Sequence, residues 1–237
     1  GSRDGGATWE AVRSEKEEIF PGSQPGCGYV MGSLQPHGLD PRRIVTIEGC
    51  SFRGADPRSL QSLDEGRTGR TFPDVPHGSY ESWAAHGIVG GRGVNPSRWY
   101  ASIFKAGFTY SEVYQGKLLR SDDDGATWTP LLESDSGGTD RAKARAVDMV
   151  SKLAYDPVRP DDLYALFRHR EPTFSGTSNS AKFRVTDSVR ASRDGGATWS
   201  ELGMPHGAYV SDLAIGIDGR YLFATTDTGI YRLALAR

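Results

Sequence analysis

One phrase of eight residues recurs along this chain and limits what the chain can fold into. It reads Ser192-Arg193-Asp194-Gly195-Gly196-Ala197-Thr198-Trp199, and again Ser2-Arg3-Asp4-Gly5-Gly6-Ala7-Thr8-Trp9 and Ser121-Asp122-Asp123-Asp124-Gly125-Ala126-Thr127-Trp128. A worn copy, Ser62-Leu63-Asp64-Glu65-Gly66-Arg67-Thr68-Gly69, has glycine in place of the tryptophan. Successive copies begin 60, 59 and 71 residues apart. Regular self-similarity of this kind marks an array in which one supersecondary unit is used repeatedly.

A second phrase falls between the copies: an aspartate or asparagine with proline, then a β-rich run. Asp40-Pro41 precedes Ile44 to Ile47, Asn95-Pro96 precedes Trp99 to Phe104, and Asp156-Pro157 precedes Leu163 to Phe167. Asp218-Gly219 before Tyr221 to Thr225 is the copy without proline. Aspartate and asparagine close turns through their own side chains, proline presets the backbone, and β-branched or aromatic runs suit strands. Each repeat therefore reads as strand A, Asp-Pro turn, strand B, loop, strand C, box turn, strand D. The third strands fall at Arg58 to Gln61, Lys117 to Arg120, Ser188 to Ala191 and Ile230 to Leu235. Only Ala142 to Val150 has the composition for a turn or two of helix. Within the box, the aspartate is expected to accept hydrogen bonds from its own turn, and glycine supplies a backbone conformation that strains other residues. The tryptophan opens strand D and can bury roughly 150–250 Å².

The pattern Ser-x-Asp-x-Gly-x-Thr-Trp resembles the Asp-box, or BNR repeat, of sialidase-like, sortilin-like and xyloglucanase-like β-propellers. The resemblance spans the whole chain and implies an all-β fold, a propeller of four-stranded antiparallel blades. The blades would cover residues 14–73, 74–133, 134–203, and 204–237 with 1–13. The chain ends on a third strand and begins with a box and a fourth strand. Joining Thr8 to Val12 onto Ile230 to Leu235 completes one blade and removes two free edges. The alternatives are a share in a larger propeller, or a ring completed by a second copy.

The resemblance also implies that Asp4, Asp64, Asp123 and Asp194, with Trp9, Trp128 and Trp199, are structural. Ligands of such propellers lie away from the boxes, at the D–A and B–C loops. Those inserts carry Tyr80, Trp83, Tyr110, Tyr114 and Phe174. Aromatic rings among hydrogen-bonding neighbours suit sugar rings or a peptide. Arg168-His169-Arg170 opens the longest B–C insert, where Arg168 and Arg170 would grip an anion. Against this stands the plainer reading that such aromatics pack their own loops and such charges are solvated.

For catalysis, the xyloglucanase-like relatives imply Asp227, in Phe223 to Gly229, as the candidate acid. A hydrolase needs two carboxylates, usually about 5–10 Å apart. Asp135, Asp140, Glu112 and Glu171 are unmatched candidates for the second. The sialidase arginine triad cannot be placed here. Gly-x-Ser-x-Gly and phosphate loops are absent. Three Pro-His-Gly phrases, at His37, His77 and His206, are read as turns, so neither a metal nor a cofactor is expected.

The net charge of -2, from 28 basic and 30 acidic residues, gives no field for nucleic acid. No apolar run approaches the ~20 residues of a membrane helix. Cys27 and Cys50 flank two neighbouring strands; a disulfide there would fit an oxidising compartment, and two unpaired thiols are the alternative. The leading expectation is an extracellular or periplasmic, non-catalytic propeller that binds a protein or glycan. A glycoside hydrolase, and a homodimeric or structural subunit of a larger complex, are the alternatives.

Overall fold

A computed structural model of the chain describes residues 7–8, 29–50, 58–73, 75–76, 83–91, 93–106, 113–137, 142–177, 181–204, 209–216 and 218–236. These form fifteen strands in four antiparallel sheets, and no helix. Sheet 1 holds β1 (Tyr29–Pro36), β2 (Ile44–Cys50), β3 (Arg58–Ser62) and β4 (Arg70–Thr71). Sheet 2 holds β5 (Trp83–Gly90), β6 (Trp99–Ala106), β7 (Val113–Ser121) and β8 (Thr129–Asp135). Sheet 3 holds β9 (Val147–Tyr155), β10 (Leu163–Thr173), β11 (Lys182–Ser192) and β12 (Ser200–Leu202). Sheet 4 has β13 (Val210–Ile215), β14 (Tyr221–Thr226) and β15 (Gly229–Ala234). Each sheet is a meander whose first strand lines a shared axial cavity, which is the blade arrangement of a β-propeller.

The sheets are held by what lies between them. Val45 and Ile47 of sheet 1 meet Ile88, Trp99, Ala101 and Ile103 of sheet 2 in one buried cluster. Leu118 meets Val150, Ala165 and Phe167 between sheets 2 and 3. Tyr164, Leu166 and Val189 meet Val210, Leu213 and Leu222 between sheets 3 and 4. Alternation along β6 and β10 makes this possible, since successive side chains face opposite neighbouring blades. Among the described residues no comparable packing joins sheet 4 to sheet 1. The expected pairing of Thr8 to Val12 with Ile230 to Leu235 involves residues 9–12, outside the described residues, as are Asp4 and Trp9.

The box has one geometry in all three described copies. The serine hydroxyl donates to the aspartate at 2.7, 2.8 and 2.7 Å, from Ser62, Ser121 and Ser192. The N–H groups of Gly66, Gly125 and Gly196 donate back to the serine oxygen, each at 2.8 Å. Asp64, Asp123 and Asp194 also accept the N–H and hydroxyl of the following threonine. Those glycines sit at φ 89, 88 and 92°, where a side chain is strained. The worn copy thus keeps the turn and loses only the ring.

These threonine and serine hydrogen bonds pull Asp64 and Asp194 down to about 2. A carboxyl depressed in the folded state stabilises above its unfolded value and loses that contribution as pH falls toward its folded one. Acid unfolding is therefore expected to gain its box contribution between about pH 4 and pH 2. An Asp64→Asn/Asp194→Asn variant, followed by circular dichroism, should show a smaller change in stability across that window.

Three sequence expectations are corrected. Residues 142–150 form no helix: Val147 begins β9 with its side chain fully buried. The Arg168-to-Asp187 insert is not a loop, because β10 and β11 run on as a paired hairpin to Thr173↔Lys182. Cross-strand partners explain this: Arg168 lies opposite Asp187, and Glu171 opposite Arg184, so charge pairs prolong the ladder. Trp83 and Tyr114 likewise stand in strands β5 and β7 rather than loops.

Candidate functional site

The hairpin extension brings a cluster together at the D–A and B–C end, between sheets 3 and 4. The Arg168 guanidinium grips Asp187 through two N–H groups, at 2.9 and 3.1 Å, and a further N–H reaches the Tyr209 hydroxyl at 3.3 Å. The same guanidinium lies 5.5 Å from the Tyr209 ring centroid, within cation–π range. Tyr209 precedes β13, and its backbone N–H donates to the Asp227 carboxylate at 2.9 Å. The Asp227 N–H returns a bond to the Tyr209 carbonyl at 3.2 Å. Asp227 thus clamps the β14–β15 turn to the start of β13.

Arg170 lies on the same face of β10 as Arg168, two residues along. It is buried, with its guanidinium 5.4 Å from the Phe183 ring. Burial lowers the Arg170 pKa and the neighbouring Arg168 charge adds to this, whereas the Asp187 hydrogen bond raises that of Arg168. Both stay charged near neutrality. Tyr209 is 55 % exposed and Val185 47 %. The cluster therefore presents one aromatic ring to solvent, backed by a fixed cation.

His169 points to the opposite face, where Nδ1 lies 2.8 Å from Asp148 across the β9–β10 ladder. Asp135 is held by the Gln115 amide and the Gly137 N–H, both at 2.8 Å. Phe174 follows β10, about 13 Å along the strand from Arg170 at the usual rise per residue. Tyr80 and Tyr110 lie outside the described residues, as do the side chains of Trp83 and Tyr114. Cys50 pairs in register with Tyr29; Cys27 is outside the described residues. The structure thus links Arg168 to Asp227 through Tyr209 and pairs Arg168 with Asp187, two partners the sequence reading did not single out. The signal was there in the alternating Arg-x-Arg opposite Val-x-Asp, which is a strand pattern.

At the other end, beside the Asp-Pro turns, the axial cavity holds about 600 Å³. Its wall takes Gln35, Val89, Leu153, Tyr155, Leu213 and Ile215 from the four first strands. His37 is at the rim; its Nδ1 accepts the N–H groups of Leu39 and Asp40, so it serves its turn. Among the described residues no group of three metal-ligating side chains converges. None of the described residues forms a helix long and apolar enough to cross a membrane.

No family model matches the chain, and no curated protein matches it. Solved structures with a similar course include a GH74 enzyme of Niastella koreensis, at TM-score 0.45 and 17% identity. That match covers 79% of this chain and 26% of the enzyme. Others are YCF48 bound to D1 peptide, at TM-score 0.35, 14% identity and coverage of 87% and 64%, and a GH93 α-L-arabinofuranosidase of Fusarium graminearum with arabinobiose. The last has TM-score 0.35, 12% identity and coverage of 87% and 81%. The chain spans about a quarter of the Niastella enzyme's length.

Proposed function

We infer that this chain is an extracytoplasmic, non-catalytic propeller of the Asp-box class that binds a protein or glycan ligand at its Tyr209 end. One observation carries the reading. Asp227, the carboxylate best placed by sequence for acid catalysis, is bound into a reciprocal pair of contacts with the Tyr209 backbone. Asp187, on β11, is paired with the Arg168 fork. One oxygen of Asp227 thus serves to fix a turn, whereas glycoside hydrolysis needs two carboxylates facing one bond. An exposed tyrosine ring with a guanidinium on one side, by contrast, suits stacking with a sugar or a peptide side chain.

The test is a glycan array and a panel of immobilised extracellular proteins. Tyr209→Ala should weaken binding to whatever is retained by roughly 30-fold, the size of a hot-spot loss of about 2 kcal/mol. Its thermal transition should move little, since the ring is mostly exposed. Turnover of chromogenic glycosides that Asp227→Asn abolishes would overturn the reading in favour of a glycoside hydrolase.

A further inference from the structure

β10 and β11 outrun the other strands of sheet 3. β9 covers the outer edge of β10 as far as Arg170, and Pro172 beyond it has no N–H to offer. β12 covers the outer edge of β11 only from Val189 to Ala191. The chain then leaves that edge, and Met204 packs into the sheet 3–sheet 4 core. Among the described residues no strand lies outside residues 182–188 of β11. This stretch holds no proline, and its ladder to β10 runs from Leu163↔Ser192 to Thr173↔Lys182 without a bulge. It lacks the two backbone devices that commonly blunt an edge, so it is a template for one more strand.

The repeat identifies the open groups. In sheet 1 the Phe72 N–H donates to the Ser59 carbonyl at 2.9 Å. Leu202 and Val189 hold those places in sheet 3, so Val189 turns its backbone polar groups outward. Alternation carries the outward set to Asp187, Val185 and Phe183. Their side chains share the face of Arg168 and Arg170, toward Tyr209. The opposite face carries Lys182, Arg184 and Thr186, all exposed. Four basic residues of this arm (Arg168, Arg170, Lys182 and Arg184) stand against two acidic ones (Glu171 and Asp187), a net +2 on a chain of net -2. We propose that the β11 edge takes an extended acidic segment of a partner protein as an added strand. Acidic side chains would lie opposite Lys182 and Arg184, and apolar ones opposite Phe183 and Val185. Backbone hydrogen bonds hold such a strand and the alternating side chains select it. The proposal rests on the reading that ligands bind at the Tyr209 end, and it names the ligand as a protein strand rather than a glycan. A second copy of the arm fits worse, since two net-positive surfaces would meet.

The probe is a synthetic peptide of about eight residues alternating glutamate with valine, with a lysine–valine peptide as control. Hydrogen exchange by NMR on the full chain reads its effect. Saturating acidic peptide should slow exchange of the Phe183, Val185 and Asp187 amides by about tenfold or more, while Arg184 and Thr186, whose amides face β10, stay as they were. Val185→Pro removes one outward donor and should weaken binding by about tenfold or more. Lys182→Glu should weaken it by about threefold and leave the thermal transition in place. Protection that survives Tyr209→Ala would support the strand while removing Tyr209 as the anchor. Peptide-induced shifts at Tyr209 with no new protection in β11 would overturn strand addition and leave the Tyr209 reading standing. Equal protection by the lysine peptide, or none by the acidic one, would also overturn the proposal. So would protection without peptide that rises with protein concentration, which would assign the edge to a second copy.

Discussion

Replacing Trp99 by alanine should lower stability by about 3–5 kcal/mol, the range for removing a large aromatic ring from a packed core. Trp99 is fully buried at the head of β6. Its ring meets Phe72 edge-on at 5.5 Å and His37 at 6.2 Å, and Arg43 sits 5.9 Å from its centroid. Its indole N–H donates to Asp124 at 2.9 Å, and Arg43 grips the same carboxylate. One side chain therefore ties the sheet 1–sheet 2 core to the box of sheet 2. Gly91 confirms the tightness, because a Cβ there would stand 2.5 Å from the ring. Urea unfolding should show a lower midpoint with an unchanged slope. Trp128→Ala should cost less, since Trp128 is only partly buried. A loss under about 1.5 kcal/mol for Trp99→Ala would show that the seam collapses around the gap and does not depend on the ring.

This ranking marks where the sequence was legible and where it was not. The box turn could be read residue by residue, because serine, aspartate, glycine and threonine satisfy one another within eight positions. The strand order followed from the Asp-Pro turns for the same local reason. Burial was less legible. The box tryptophans looked like the main wedges, yet among the described residues Trp99, outside any box, is more enclosed than Trp128 or Trp199. Its depth depends on Phe72 and His37 from another sheet, and no local pattern announces that. The Tyr209 cluster was missed in a similar way. Arg168 was seen as a loop cation because the insert was read by its charge, whereas charge pairs across the ladder extend the hairpin. Arg168 and Tyr209 meet only after sheet 4 folds against sheet 3.

Arg159→Ala should cost about 3 kcal/mol, toward the lower end of what breaking a buried ion pair costs. The Arg159 guanidinium stands 3.1 Å from Asp156 and 2.9 Å from Asp162, whose side chains are 0% and 9% exposed. It also donates to the Ala236 carbonyl at 3.2 Å, tying sheet 3 to the end of sheet 4. Removing it leaves two carboxylates desolvated around one missing cation. Arg193 still reaches Asp162, which keeps the loss from the upper end of the range. Val158 N–H, at 2.8 Å, still caps Asp156 but carries no net charge. The contrast is Arg220, which lies 3.5 Å from Asp218 with both side chains half exposed or more. Solvent screens that pair, so Arg220→Ala should change stability by about 0.5 kcal/mol or less. Because the cost comes from the stranded acid and not from the pair itself, Arg159→Leu combined with Asp156→Asn should recover part of the loss. If Arg159→Ala matched Arg220→Ala in denaturant midpoint, the cluster would be hydrated in solution and the sheet 3–sheet 4 seam would rest on Val210, Leu213 and Leu222 alone.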